Sequence, residues 1–353
     1  MKPLDHPGGT AATHDLVVIG ASAGGVGVLK RVVADLPSGL PAAVCIVLHM
    51  APSSPSALAG ILERSGPLPC RFAGRDQPLN EGEIIVAPPD HHLVIEDRRV
   101  RPTVAPRENG HRPAVDVLFR SAAAARGSRV LGVILSGTLD DGAAGLAVIK
   151  AEGGATVVQD PDEAMYPGMP ASALANVAVD AVVPSELIGE TIAAIVSGAQ
   201  LPAYVSAHVP PEDPDAGDRL TSVCPECGGV LTEQAEAGVP YWECHVGHRY
   251  APTSFAEAQG KRVEAALWTA VRVLRDRGAL LTRMAEQFEG HSQMRSARHF
   301  RRLADEAYRQ ADLVRETLTE AAATPLGNFR GIDGEVAAKA AEVTGAAGAA
   351  GAG

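Results

Sequence analysis

Residues 15–25 read Asp-Leu-Val-Val-Ile-Gly-Ala-Ser-Ala-Gly-Gly, an apolar run that meets glycine, then serine, then glycine again. Gly20-Ala21-Ser22-Ala23-Gly24 fits the G-x-S-x-G elbow, in which small neighbours let a strand turn sharply and leave a serine hydroxyl exposed at the sheet edge. The competing reading is a phosphate-cradling turn. Spacing argues against it, because Gly20, Gly24, Gly25 and Gly27 do not give G-x-G-x-x-G, and no G-x-x-x-x-G-K-[ST] occurs.

A serine reacts only if a base takes its proton and a third group orients that base. His49 ends the apolar run Val44-Cys45-Ile46-Val47-Leu48, which puts it at the C-terminal edge of a buried strand, where open α/β sheets bind ligands. A third run, Val130–Leu135, leads into Ser136-Gly137-Thr138-Leu139-Asp140-Asp141-Gly142 and brings two carboxylates to the same rim. Taken singly, a histidine after a strand is more often a packing residue, and Asp-Asp-Gly more often a turn before a helix. Their convergence with Ser22 favours catalysis. His91 and His92 compete as bases but follow Pro88-Pro89-Asp90 and read as a loop tip, and His111 in Asn-Gly-His-Arg-Pro reads as a loop. The order Ser, His, acid differs from the Ser, acid, His order of α/β-hydrolases.

A second cluster lies further on. Cys224-Pro-Glu-Cys227-Gly-Gly and Cys244-His245-Val-Gly-His248 have the spacing of a zinc ribbon, in which three thiolates and one imidazole close a tetrahedron. His248 suits the fourth position better than His245, which abuts Cys244. A closed set of four ligands reads as structural zinc; a redox cysteine pair with unrelated histidines is the alternative.

The elements that must position these groups follow from periodicity. The fold expected is α/β, a doubly wound, mostly parallel sheet over residues 13–199, with strands at 16–19, 43–48, 83–87, 93–96, 130–135, 156–159 and 181–183. Helices are expected at 24–34, 54–65, 114–126, 142–152, 170–177 and 185–197, and the Pro-Pro-Asp segment as a hairpin-like excursion. Residues 1–12 read as a flexible lead, 200–219 as a Pro/Asp-rich linker and 220–252 as the ribbon module. Ser254-Phe-Ala-Glu257 offers a capping box that opens an α-helical hairpin over 253–322. Its first face carries Trp268, Val271, Leu274, Leu281, Met284 and Phe288, its second Phe300, Leu303, Ala307 and Leu318. The Ala/Gly tail, 323–353, reads as disordered.

Composition excludes several classes. The chain has 353 residues, is 46% hydrophobic and carries a formal charge of −11, without the basic excess that nucleic-acid backbones require. The first residues lack an apolar signal core, and no run reaches membrane-spanning length, so a cytoplasmic protein without membrane insertion is expected. Cys45 and Cys70, outside the cluster, read as small apolar fillers in a reducing compartment.

With these motifs in place, residues 15–190 resemble the catalytic domain of chemotaxis-receptor protein-glutamate methylesterases, CheB-type. The segments that carry the resemblance are Ile19–Gly25, Leu48-His49-Met50, Ile85–Leu93, His111–Phe119, Leu135–Gly145, Val158-Gln159-Asp160 and Gly168-Met169-Pro170. The resemblance implies Ser22 as nucleophile, His49 as base and Asp141, directly before Gly142, as orienting acid, with Asp140 in a variable slot. It implies hydrolysis of γ-glutamyl methyl esters on methyl-accepting receptor helices, glutamine deamidation at such sites, and no cofactor for catalysis. Members typically read Thr-Gly-Met-Gly where this chain has Ser136-Gly137-Thr138-Leu139. The ribbon and hairpin resemble a C-terminal extension of members without the phosphorylatable receiver domain, and a partner-docking or self-associating hairpin is the expected control element. The competing functions are a signalling scaffold with a degenerate esterase domain and a small-molecule esterase on the same triad.

Overall fold

The structure, a computed structural model, describes residues 14–51, 57–199, 206–210 and 222–322. The expected flexible lead, the Ala/Gly tail, most of the linker and residues 54–56 of the helix expected at 54–65 lie outside these. The chain divides into two compact units, Met1–Gln259 and Gly260–Gly353.

Residues 14–199 alternate strands and helices: β1 (Leu16–Ala21), α1 (Gly25–Asp35), β2 (Ala43–Leu48), α2 (Leu58–Glu63), β3 (Cys70–Phe72), β4 (Gln77–Pro78), β5 (Ile84–Val86), β6 (His92–Glu96), β7 (Arg99–Thr103), α3 (Val115–Arg126), β8 (Val130–Ile134), α4 (Ala143–Ala151), β9 (Ala155–Gln159), α5 (Gly168–Asn176), β10 (Val179–Val183) and α6 (Ile188–Ser197). β11 (Ser206–His208) completes an eight-stranded sheet of order β11-β10-β9-β8-β1-β2-β5-β3. All pairings in this sheet are parallel except that of β11. β1, β2 and β8 are buried at every residue, as strands covered on both faces must be.

Side chains alternate between two cores. Val17 and Ile19 pack with Leu29 and Val32 of α1, Leu62 of α2 and Ile192 of α6 on one face. Leu16 and Val18 pack with Leu118 and Phe119 of α3, Leu146 of α4 and Met169 of α5 on the other. Each fully buried Leu, Ile or Val side chain contributes about 1.5–3 kcal/mol, so both faces are anchored many times over. Cys45 and Cys70 are buried among these apolar side chains, and burial pushes both thiols up to about 12.

Two expectations for this region are corrected. Residues 206–208 of the expected linker form edge strand β11, held by the main chain and by His208 Nε2 bonding the Leu174 carbonyl at 2.8 Å. The excursion after Pro88-Pro89-Asp90 is the antiparallel hairpin β6-β7, as expected, and the earlier strand β4 joins its edge, but His92 is not a loop-tip residue: it is a fully buried member of β6. Burial lowers its pKa and it serves as a brace, bonding the Pro106 carbonyl (2.9 Å) and accepting from the Ala114 N–H (3.2 Å).

The cysteine-bearing segment is a four-stranded antiparallel sheet, β12 (Ser222–Val223), β13 (Val230–Glu236), β14 (Val239–Cys244) and β15 (Arg249–Tyr250). α7 (Pro252–Gly290) begins two residues before the expected capping box, so Ser254 lies inside the helix and its hydroxyl donates to Asp140 instead of capping. From Gly260 on, the rest of α7 and α8 (Met294–Ala322) form the second unit's hairpin, which turns after Gly290. Phe288 stacks on Phe300 at 5.2 Å, and Val271, Ala285, Ala297, Ala304, Ala307 and Ala311 are buried. Trp268, expected on the buried face, is exposed.

Candidate active site

Parallel register brings the C-terminal ends of β1, β2 and β8 level: Ala21 pairs with Leu48 and Gly20 with Ile134. From β1 the chain proceeds to β2 on one side, while β8 returns on the other, so β1 and β8 flank the topological switch point at which such sheets bind ligands. Ser22 follows β1, His49 follows β2, and Asp140-Asp141 close the loop after β8. The elbow needs its glycines. A Cβ on Gly20 would meet Val115 Cγ1 at 2.2 Å, and Gly24 takes φ +76° at the start of α1. Gly137 lies against Ser22, where a Cβ would come within 2.9 Å of the serine Cβ and 2.1 Å of Met169 Sδ.

The structure brings Ser22, His49 and Asp141 together. His49 Nδ1 stands 3.1 Å from Ser22 Oγ and His49 Nε2 2.7 Å from Asp141 Oδ2. With Asp141 ionised, Nε2–H donates to the carboxylate and Nδ1 is free to accept the serine hydroxyl proton. The ring is turned relative to the familiar serine-protease arrangement, in which Nε2 faces the serine, but the connectivity is the same. His111, which reads as a loop residue in sequence, stacks on His49 with ring centroids 3.7 Å apart and planes 11° apart.

Asp141 is ringed by donors. Besides His49, it accepts from the Val115 N–H (2.7 Å) and the Asp116 N–H (3.1 Å) at the first turn of α3, and from Asn109 Nδ2 (2.9 Å). Burial pushes its pKa up, but the hydrogen bond and charge of His49, then His111 and the Val115 amide, hold it well below the usual carboxylate range. Neighbouring Asp116 goes the other way: burial first and the charge of Asp141 second raise it well above the ordinary value. The pair thus shares its burden unequally, with Asp141 the ionised partner. Asn109 Nδ2 also donates to Asp116 Oδ2 at 2.9 Å. Sequence reasoning missed Asn109, His111 and Asp116. The traces were a carboxylate, Asp116, set in the otherwise apolar run Val115–Phe119, and the place of His111–Phe119 among the segments that carry the family resemblance.

Asp140, one residue away, faces elsewhere. Its buried carboxylate accepts from the Thr253 N–H (2.7 Å), the Ser254 N–H (3.1 Å) and the Ser254 hydroxyl, and burial raises its pKa.

Cys224, Cys227, Cys244 and His248 converge within the antiparallel sheet, their ligand atoms all within 4.8 Å of one another. Cys227 Sγ and Cys244 Sγ lie 3.6 Å apart, and His248 Nδ1 lies 3.7 Å from Cys224 Sγ and 3.5 Å from Cys244 Sγ. A tetrahedron with metal–sulfur bonds of about 2.3 Å has edges of about 3.7 Å, so the four atoms fit zinc. His248 Nε2 meets Glu226 at 3.0 Å, the carboxylate–histidine arrangement that orients a metal-binding ring. Burial pushes the Cys244 thiol up, but the His248 amide and ring and the Val246 amide bring it down to about 6.

Residues 17–192 match the family model described as CheB methylesterase. A Leptospira interrogans protein, provisionally named protein-glutamate methylesterase/protein-glutamine glutaminase, is 38% identical over 178 residues, which cover 50% of this chain and 92% of the relative. Protein-glutamate methylesterase/protein-glutamine glutaminase 2 of Anaeromyxobacter dehalogenans is 41% identical over 178 residues, 50% of this chain and 52% of that protein. The crystal structure of the Thermotoga maritima CheB methylesterase catalytic domain superposes with a TM-score of 0.50 at 31% identity, covering 52% of this chain and 99% of the domain. Strand order, switch point and these likenesses agree, and the chain belongs to the CheB methylesterase family.

Proposed function

We propose that the protein hydrolyses γ-glutamyl methyl esters on methyl-accepting receptor proteins, with Ser22 as nucleophile, His49 as base and Asp141 as orienting acid. The observation that carries this reading is the unbroken chain Ser22 Oγ–His49 Nδ1 and His49 Nε2–Asp141 Oδ2 at the switch point. Ser22 Oγ attacks the ester carbonyl carbon while His49 Nδ1 takes its proton. Backbone N–H groups at the start of α1 would stabilise the resulting oxyanion, each such donor being worth about 3–4 kcal/mol. Collapse breaks the C–O bond, and His49 returns the proton to the leaving methoxide, which departs as methanol. Water, deprotonated by His49, then attacks the γ-glutamyl-serine ester, and the proton passes back to Ser22 as glutamate is released. A glutamine side chain follows the same route with ammonia as leaving group.

Catalysis on this route needs no cofactor. Cys224, Cys227, Cys244 and His248 would hold a structural zinc ion, whose four protein ligands leave no open position. Among the described residues no helix is long and apolar enough to cross a membrane, and a reducing cytoplasm suits five cysteines of which none forms a disulfide. Incubation with a methylated receptor releases methanol, and Ser22→Ala abolishes the release. An equal rate in the variant overturns the assignment. Turnover of soluble esters without methanol from the receptor points to a small-molecule esterase. No labelling of Ser22 by a fluorophosphonate points to a scaffold.

A further inference from the structure

Residues 249–254, which leave the cysteine cluster and enter α7, are bonded to the surroundings of the triad acid at four points. The Asn109 N–H donates to the Arg249 carbonyl (2.8 Å), and the Ala251 N–H donates to Asn109 Oδ1 (2.7 Å). Thr253 and Ser254 are held by Asp140 through the three bonds described above. Asn109 and Asp140 are both buried, and neither touches Ser22 in the contacts above. The Asn109 amide is saturated: its two N–H bonds reach Asp116 and Asp141, and its oxygen is taken by Ala251. Its orientation is therefore set from the cysteine-module side. Removing the Ala251 donor frees the amide to flip and withdraws an N–H from Asp141. Asp140 is bonded to Asp141 in sequence, so its anchoring to the head of α7 constrains the same loop. Ionic contacts join the same surfaces: Arg120 binds Glu108 in a fork (2.7 and 2.5 Å) and reaches Glu236 of β13 at 3.5 Å.

We propose that the metal-ordered segment 249–254 is a clasp on the catalytic acid, with Asn109 and Asp140 as positioning residues, so that metal occupancy at Cys224, Cys227, Cys244 and His248 sets the reactivity of Ser22. The inference rests on the triad reading above and deepens it. The metal takes no part in the bond changes. It fixes His248 and Cys244, from which residues 249–251 run directly to Asn109.

The test uses the full chain and a fluorophosphonate, which reacts with Ser22 whatever the natural substrate. Concentration series give the maximal labelling rate and the apparent binding constant separately. Removing zinc with a chelator lowers the maximal rate about tenfold, the scale on which partners once removed from a reacting group act, and leaves the binding constant unchanged. Added zinc restores the rate. Hydrogen exchange in the peptide 249–255 rises on stripping and falls on restoration. Asp140→Ala lowers the maximal rate similarly, whereas Asp140→Asn, which keeps one acceptor oxygen for Ser254 but turns an amide N–H toward the Thr253 N–H, falls between Asp140→Ala and wild type. The clasp is overturned if stripped protein or Asp140→Ala, with the sheet domain still melting cooperatively, labels within twofold of the zinc-loaded wild type. If Asp140→Ala does not fold, the strip-and-restore series decides alone. Labelling without methanol release from receptors overturns the proposed substrate and leaves the clasp standing on its own numbers. No labelling of zinc-loaded protein overturns both.

Discussion

The rim that carries Asp141 and the cysteine cluster both gather groups whose anionic forms need a partner, and they differ in what supplies it. At the rim, Asp141 is buried yet stays ionised because His49, two amides of α3 and the Asn109 side chain all point N–H groups at it. That field belongs to the fold and is present whenever the sheet domain is folded. At the cluster, three thiols stand within 4.8 Å of each other with one imidazole. Three thiolates at that separation repel, and a cation bound from solution relieves the repulsion. One site is preorganised by backbone dipoles, while the other, on the reading proposed above, would be completed by a metal ion.

The largest effect that would break this comparison is at the acid. Asp141→Asn keeps the shape but presents an amide to His49, and kcat should fall by about a thousandfold to ten-thousandfold, as for triad acids generally, with KM little changed. Steady-state kinetics on a methylated receptor check it. A fall of less than tenfold would mean that the donor ring around Asp141 does not serve catalysis.

Next comes the metal. Chelation should open residues 222–250 to protease while 14–199 remain resistant, because β12–β15 bury only a small apolar cluster around Leu231, Tyr250 and Phe255. Limited proteolysis with mass mapping reads this directly. Equal resistance with and without metal would make the cluster as self-sufficient as the rim.

A third prediction concerns acid. The native pKa of Asp141 is depressed, so its stabilising contribution is complete above the unfolded value of about 3.9 and is lost as pH falls through the lower native value. Between pH 5 and pH 2 the wild type should therefore lose more stability than Asp141→Asn, as measured by urea unfolding. Parallel curves would contradict the depressed value.

The smallest effect sharpens the loop itself. Leu139 takes φ +63°, a left-handed conformation that glycine adopts without strain. Leu139→Gly should relieve about 1 kcal/mol of left-handed strain and raise Tm by about 2–4 °C. A lower Tm would show that the leucine side chain contributes more packing than its backbone costs.

Much of the architecture was legible because apolar runs without alternation announce parallel strands, and residues directly after such runs land on one rim. Ser22 and His49 were readable in this way. So was the cysteine cluster, since its four members fall within 25 residues and their spacing is nearly their geometry. Short strands such as β3, β4, β7 and β11 escaped because two to five residues carry too little periodicity, and Pro78 and Pro102 disguised two of them. His92 was misread from its turn-rich neighbours, being a buried brace, whereas His111 does lie in a loop and only the fold shows its ring stacked on His49.

By itself, then, the sequence determined the sheet, the elbow serine, the histidine level with it and the four metal-type ligands, because each depends on local pattern. Which of two adjacent aspartates faces the histidine was a tertiary decision. The first-turn amides of α3, 25 and 26 residues away, capture Asp141, and the head of α7, over 110 residues away, captures Asp140. Adjacent residues on a turn point in opposite directions, and only the groups that the fold brings to each side determine which carboxylate stays charged beside the base.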